Sequence, residues 1–298
     1  MSIAFESGAP TDSRSWKEGL DMSTKPILVT GATGKTGRRV VRILRSRGLP
    51  YRAACREGDV SFDWDDEATW PDTVRDVEVA YLVIPDLGSN EATAKAGRFA
   101  KLMALAGGRR VVMVSTPDDM SDFHRQVKAT ESAIKSAGLA LTSLRLRWFY
   151  QNFSEDFLHP AVMSGSLRLP AGNGMEAFID ADDIAAVAVE ALLNDSFAAQ
   201  DHELTGPRLM SFGDIAADLS RATGRHITYV PVTPEQFVAE QIAEGVDVDW
   251  ANLLCNLYQV ISVGTLEATS LDVGLILGRP PRDFADFATK AAREGAWW

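Results

Sequence analysis

Ile27-Leu28-Val29-Thr30-Gly31-Ala32-Thr33-Gly34-Lys35-Thr36-Gly37 is the stretch on which the fold turns. A short apolar run, reading as a buried strand, ends in glycines spaced GxxGxxG. Lys35 to Arg47 follows with Val40, Val41, Ile43 and Leu44 on one side, which is helical spacing. Strand, glycine turn and helix in that order make a phosphate cradle. Gly31 permits the tight turn, Gly34 lets backbone N–H groups approach a pyrophosphate, and Gly37 lets helix and strand pack closely. The helix N-terminus adds partial positive charge. Thr33, Lys35 and Thr36 lie in the same cradle and are expected to touch the cofactor. Gly34-Lys35-Thr36 also mimics the end of a triphosphate loop. That loop requires a glycine where this chain has Val29, which excludes an NTPase.

Outward from this stretch the chain alternates. Gly48-Leu49-Pro50 stops the first helix. Strands are expected at Tyr51 to Cys55, Ser61 to Trp64, Val77 to Ile84, Arg110 to Ser115 and Leu141 to Leu146. Helices are expected at Glu67 to Val74, Asn90 to Ala106 and Ser121 to Ala137. This order calls for an α/β fold, a Rossmann-type doubly wound parallel sheet with helices on both faces. Beyond Trp148 the alternation loosens. Helical stretches near 182–193, 211–223, 234–244, 249–262 and 281–295, with a strand-like Ile227 to Val232, read as a smaller, mostly helical C-terminal substrate region. The expected division is an extension over 1–24, a dinucleotide-binding domain over 25–155 and a substrate region over 156–298. Residues 176–195 are expected to return and pack on the first domain. The extension reads equally as a flexible segment or as the product of an upstream start, because Met22 lies just before the first strand.

Composition narrows the function classes. The 298 residues are 46% hydrophobic and 24% charged, globular values that leave room for a sizeable core. A formal net charge of −11 argues against nucleic-acid partners and anionic membranes. No apolar run reaches membrane-spanning length, and the first residues lack a secretory pattern. Two cysteines without CxxC spacing, Cys55 and Cys255, suit a reducing cytoplasm and exclude a cysteine zinc site. His159, His202 and His226 have no partner spacing, so no metal is expected. A monomer or a homodimer fits equally.

Charge also points to the cofactor. Dinucleotide folds that prefer NAD place an acid after the second strand, to bond the ribose hydroxyls. Here Ala54-Cys55-Arg56 stands there, and an arginine suits a 2′-phosphate. Arg38, just inside the first helix, can join it, so NADP(H) is expected over NAD(H). Asp63 is positioned either to meet the adenine or to serve as an ordinary turn residue. Ile84, at the end of the fourth strand, is counted as a cofactor contact. Residues 31–60 hold eight basic residues against Glu57 and Asp59, a basic cofactor end on an acidic body.

The glycine stretch through Val41 resembles the start of NmrA-like atypical short-chain dehydrogenases/reductases. So do Phe62-Asp63-Trp64-Asp65-Asp66, Leu144-Arg145, Trp148-Phe149-Tyr150-Gln151-Asn152-Phe153, Phe178-Ile179-Asp180 with Asp183-Ile184-Ala185, Leu204-Thr205-Gly206-Pro207 and Gly278-Arg279-Pro280-Pro281-Arg282. The resemblance covers 25–298 and is strongest to ergot-alkaloid iminium reductases of the festuclavine synthase type. It implies NADP(H) binding with Arg38, Arg56 and Asp63 as contacts. It also implies a substrate pocket near Trp148, Tyr150 and Asn152.

The chemistry departs from the ordinary short-chain pattern, a serine after the fifth strand and a Tyr-x-x-x-Lys pair on the next helix. Ser115 fits the first position. His124-Arg125-Gln126-Val127-Lys128 gives the i, i+4 spacing with histidine in the tyrosine place. His124 and Lys128 read either as a proton relay or as two polar residues on a solvated face. A missing tyrosine suits an iminium, which already carries the charge that hydride neutralises and needs no proton at a new alkoxide. Asp180, Asp182 and Asp183 read as helix-capping acids. Trp148, Phe149, Tyr150, Phe153 and Phe157 read either as core or as the lining for a flat aromatic substrate.

The expected function is an NADPH-dependent reductase of a small imine or iminium, carbonyl or quinone-like molecule in specialised metabolism. The alternatives are an NADP-sensing regulator without turnover and a non-redox cyclase or lyase on the same fold.

Overall fold

The computed structural model describes residues 25–58, 60–118 and 121–298. The expected extension over 1–24 lies outside them. The chain runs from β1 (Ile27–Thr30) through the glycine turn into α1 (Gly37–Ser46), β2 (Tyr51–Cys55) and β3 (Val60–Ser61). A 3-10 turn at Glu67–Thr69 precedes α2 (Trp70–Val74), β4 (Val79–Leu82), α3 (Asn90–Leu105), β5 (Arg110–Ser115), α4 (Asp122–Lys135) and β6 (Ala140–Leu146). Then come α5 (Asn152–Glu155), α6 (His159–Ser164), β7 (Ser166–Leu169), α7 (Ala181–Leu193), another 3-10 turn at Asp195–Phe197 and β8 (Asp201–Leu204). The remainder is α8 (Phe212–Thr223), β9 (Thr228–Pro231), α9 (Pro234–Ala243), α10 (Val248–Ser262), α11 (Asp272–Leu277) and α12 (Phe284–Arg293).

Seven parallel strands form one sheet in the order β3-β2-β1-β4-β5-β6-β8. Val29 in β1, third in that order, is in register with Ala53 on one side and Tyr81 on the other. Both faces are buried, so the central strands are apolar throughout rather than alternating. Leu28, Ala80, Leu82, Val111 and Met113 face a core shared with α3 through Ala96, Phe99 and Met103. Ile27, Val29, Tyr81 and Val112 face the opposite core, with Val40 and Leu44 of α1 and Ile184, Ala188 and Leu192 of α7. Residues 181–193 therefore cover the sheet although they lie late in the chain.

The seventh strand is the main addition to the sequence reading. Asp201–Leu204 pairs in parallel with β6, Ser143 opposite Asp201 and Leu146 opposite Leu204. A chain cut at 155/156 would remove this strand from its own sheet. Four residues, two of them acidic, carry too little apolar signal to mark a strand; pairing with β6 makes it one.

The rest of the C-terminal half has its own core. Phe153, Phe178, Phe212, Tyr258, Phe284 and Trp297 pack there, and the small parallel pair β7-β9 flanks it. Trp297 is buried and its indole N–H donates to the Phe153 carbonyl at 2.8 Å, fastening the C-terminus to α5.

Candidate active site

The glycine turn has the geometry its sequence asks for. Gly31 sits at φ +60°, a backbone conformation that disfavours a side chain. Gly34 N–H donates to the Gly31 carbonyl at 2.9 Å, closing the turn. A Cβ on Gly37 would stand 2.2 Å from the Gly31 carbonyl oxygen, so α1 meets the turn at a distance only glycine allows. The Thr30 hydroxyl accepts from Val83 N–H at 2.9 Å and fixes the end of β4 beside the turn.

Beside this turn lies an open cleft of about 1110 Å³ at the carboxyl ends of β1, β2 and β4. Gly31, Thr33, Arg56, Asp63 and Ile84 line it, five positions that the sequence reading assigned to the cofactor. Carboxyl-end crevices of open parallel sheets are where dinucleotides lie. The residues present fit such a group: a glycine cradle, a helix N-terminus and an exposed guanidinium. Arg56 forms no ion pair among the described residues and is exposed on the cleft wall. Asp63 is a turn residue that also lines the cleft, and its carboxylate accepts from Asp65 N–H at 2.9 Å. Sequence reading missed Val83, Pro85, Ser89 and Lys95 on the same wall. Pro85, which ends the strand, and Ser89, which caps α3 by accepting from Ala92 N–H at 3.0 Å, were the signals available.

The other arginines of the basic stretch are occupied. Arg38 pairs with Glu155, and Arg39 pairs with both Glu155 and Asp182. Arg42 reaches Asp182 and Arg47 reaches Glu190. Arg38, expected on the cofactor, instead faces α5, because an acid more than a hundred residues away lies within reach. Lys35 likewise turns toward the C-terminal half. Its ammonium pairs with Asp156, donates to Asn152 Oδ1 at 3.2 Å, and sits 5.6 Å from the centre of the Phe149 ring. The basic patch thus clamps the two halves of the molecule, and Arg56 is left facing the cleft. Thr36 and Gly37 are buried under the turn and Gly34 is exposed at its tip.

The three residues considered for proton transfer are separated by their partners. Ser115 Oγ donates to Glu131 Oε1 at 2.7 Å in the interior. Lys128 lies 3.2 Å from Glu131 and 3.3 Å from Asp201. Arg145 completes the cluster, 2.6 Å from Asp201 and 3.4 Å from Glu131. Burial pushes the Glu131 carboxyl up, but Ser115, Arg145 and Lys128 outweigh it and hold it below the usual carboxylate range. His124 is buried one turn earlier, its Nε2 3.3 Å from the Asp118 carboxylate. Serine and lysine therefore meet at Glu131, and histidine faces the loop after β5.

Of the expected substrate residues, Asn152 is drawn to Lys35. Trp148 lies half-buried with its ring centre 4.9 Å from that of Tyr258, and Phe157 and Phe212 pack on its edges. Tyr150 belongs to the core instead of a pocket. It is 1% exposed, packs edge-on against Phe284 and donates its hydroxyl to the Arg282 carbonyl at 3.0 Å. Burial, with Asp283 and Asp180 nearby, raises its phenol far above the ordinary value. Asp180 caps α7 by accepting from Asp182 N–H at 2.8 Å, and Asp183 is fully buried against Arg279 and Arg282. These acids hold structure, in line with their capping pattern.

No family model matches the chain. Curated proteins do. It is 30% identical over 285 residues to the uncharacterised oxidoreductase YesF of Bacillus subtilis, covering 93% of this chain and 98% of that one. This chain belongs to the NmrA-like family of atypical short-chain dehydrogenases/reductases. The NmrA-like chain is also 30% identical to an NAD(P)H azoreductase of Xenophilus azovorans, over 91% of this chain and 99% of the relative. Agroclavine dehydrogenase of Claviceps fusiformis is 29% identical, over 88% and 96%. The fold recurs in the NADPH-dependent quinone oxidoreductase QOR2 of Escherichia coli, with TM-score 0.78, 22% identity, and 89% and 99% of the two chains covered. It recurs also in the transcriptional regulator NmrA, with TM-score 0.70, 15% identity, and 91% and 96% covered. Among its described residues this NmrA-like protein has no helix long and apolar enough to cross a membrane.

Proposed function

We propose that this chain reduces a small, electron-poor conjugated molecule, with an imine or iminium as the favoured acceptor and a carbonyl or quinone-like group as the broader class. It is an NADP-dependent oxidoreductase, and NADPH when bound supplies the hydride. The observation that carries the substrate reading is the Ser115–Glu131–Lys128 arrangement. The serine and lysine that would assist a new alkoxide are held by a carboxylate. An acceptor that needs no proton at oxygen suits such a site. The relatives named for agroclavine dehydrogenation and azo reduction support the same direction.

The chain's own residues have three tasks in this reading. Gly31, Thr33, Gly34 and the start of α1 receive the pyrophosphate, and Arg56 receives the 2′-phosphate. Lys35, Asn152 and Phe149 hold the segment after β6 against the glycine turn. Trp148 offers an aromatic wall on the substrate side. Free Cys55 and Cys255 accord with a cytoplasmic setting.

NADPH oxidation with a panel of cyclic imines, quinones, azo dyes and simple ketones tests the reading. Turnover of imines well above that of ketones is expected. Cofactor binding with no turnover of any acceptor would favour the regulator, product without NADPH loss would favour the cyclase or lyase, and either would overturn the proposal.

A further inference from the structure

We propose that the outer flank of α10 is an interface for a second copy of this chain, the two helices pairing antiparallel. Ala251, Leu254, Cys255, Tyr258 and Ile261 point inward and are buried. A second apolar row runs along the flank: Trp250 is 46% exposed, Leu253 42% and Leu257 36%, with Val260 partly covered. These residues are three, four and three positions apart, the spacing of a helix–helix seam. Scattered exposed apolar residues need no explanation, but a row at seam spacing on one helix does.

The charge pattern selects the direction of the pair. No charged residue lies between Trp250 and Leu266, while Asp247 and Asp249 stand at the N-terminal end of the helix. A parallel pair would set these acids against each other. An antiparallel pair centred near Cys255 sets them against the uncharged C-terminal end of the other copy. In that register Trp250 faces Val260 and Leu253 faces Leu257, a large residue against a small one and two equal residues together. The row is thus complementary to itself about a two-fold axis, as a symmetric dimer requires.

Sedimentation equilibrium of the NADPH-loaded protein over the micromolar range tests this. A dimer is expected, and Leu253→Asp is expected to give a monomer that keeps its circular dichroism and its NADPH affinity. The double variant Leu253→Cys with Leu257→Cys is expected to cross-link under oxidation, whereas Asn256→Cys is not. A wild-type monomer, or a dimer that survives Leu253→Asp, would overturn the proposal. Dimers that appear only after deletion of residues 1–24 would assign the row to that segment, and binding of the monomer to phosphatidylcholine vesicles would assign it to lipid; both overturn the proposal.

Discussion

Ser115 Oγ donates to Glu131 Oε1 at 2.7 Å, and both side chains are buried. The hydroxyl is therefore a donor to a buried carboxylate. Ser115→Ala removes that donor and is expected to cost about 1.5–3 kcal/mol of stability, the range for a hydrogen bond to a charged group. Denaturant midpoints measure this. Imine reduction is expected to persist in the folded variant. A drop of roughly 10²–10⁴-fold in kcat would instead assign Ser115 to proton transfer.

The same cluster sets an acid limit on stability. Burial opposes ionisation of Glu131 and Asp201, but Ser115 and Arg145 at Glu131, and Arg145 and Lys128 at Asp201, bring both carboxyls below their ordinary values. A carboxyl lowered in the folded state stabilises above its unfolded pKa and loses that contribution as pH falls through the folded value. Stability is therefore expected to decline below about pH 4, where unfolded carboxyls begin to take up protons first. Glu131→Gln is expected to be less stable than wild type at neutral pH, with the gap narrowing as pH falls. Urea midpoints on either side of that range check the sign. Glu176 runs the other way. Burial raises it despite Arg147, so its contribution is full below the unfolded value and declines as pH rises through the folded one.

How far the sequence carries can be followed residue by residue. The first strand, the turn and Val40–Leu44 were legible because strand propensity, glycine spacing and helical periodicity agree within one short stretch. Arg110–Ser115 and Tyr51–Cys55 were legible as short apolar or β-prone runs between breakers. Asp201–Leu204 was not, because its strand state comes from pairing with β6. The fates of Arg38 and Arg42 were not either. Glu155 and Asp182 lie more than a hundred residues away, and no local pattern says that they will be opposite α1. Tyr150 reads in sequence as part of an aromatic patch with two possible uses; its burial, its packing on Phe284 and its bond to the Arg282 carbonyl place it in the core.

The glycines of the turn separate stability from binding. A Cβ at Gly37 would meet the Gly31 carbonyl oxygen at 2.2 Å, so α1 or the turn must move. Gly37→Ala is expected to cost about 1–3 kcal/mol, the range for overpacking a tight contact, and to abolish tight NADPH binding. At Gly34 the nearest atom to an added Cβ is the same oxygen at 3.2 Å, which small shifts relieve. Gly34→Ala is expected to keep nearly wild-type thermal stability while weakening NADPH and NADH alike, because it fills the space through which the pyrophosphate approaches. Thermal midpoints and dinucleotide titrations on the two variants distinguish these effects.

Arg56 and Arg38 divide the basic patch into a residue facing the cleft, which we propose binds the 2′-phosphate, and a clamp. Arg56 is exposed on the cleft wall without an ion pair among the described residues, whereas Arg38 meets Glu155 across the gap between α1 and α5. A guanidinium bonding a phosphate contributes about 1.5–3 kcal/mol, the range for charged hydrogen bonds. Arg56→Ala is therefore expected to raise the NADPH dissociation constant by roughly 10- to 150-fold. NADH, which lacks the 2′-phosphate, is expected to bind unchanged. Arg38→Ala removes a partly exposed ion pair, worth about 0–1 kcal/mol, and is expected to change NADPH affinity less than fivefold or so. The ratio of NADPH to NADH affinity in the two variants decides between them. If Arg38→Ala collapses that ratio and Arg56→Ala leaves it intact, Arg38 exchanges Glu155 for the phosphate when the cofactor binds, and the assignment reverses.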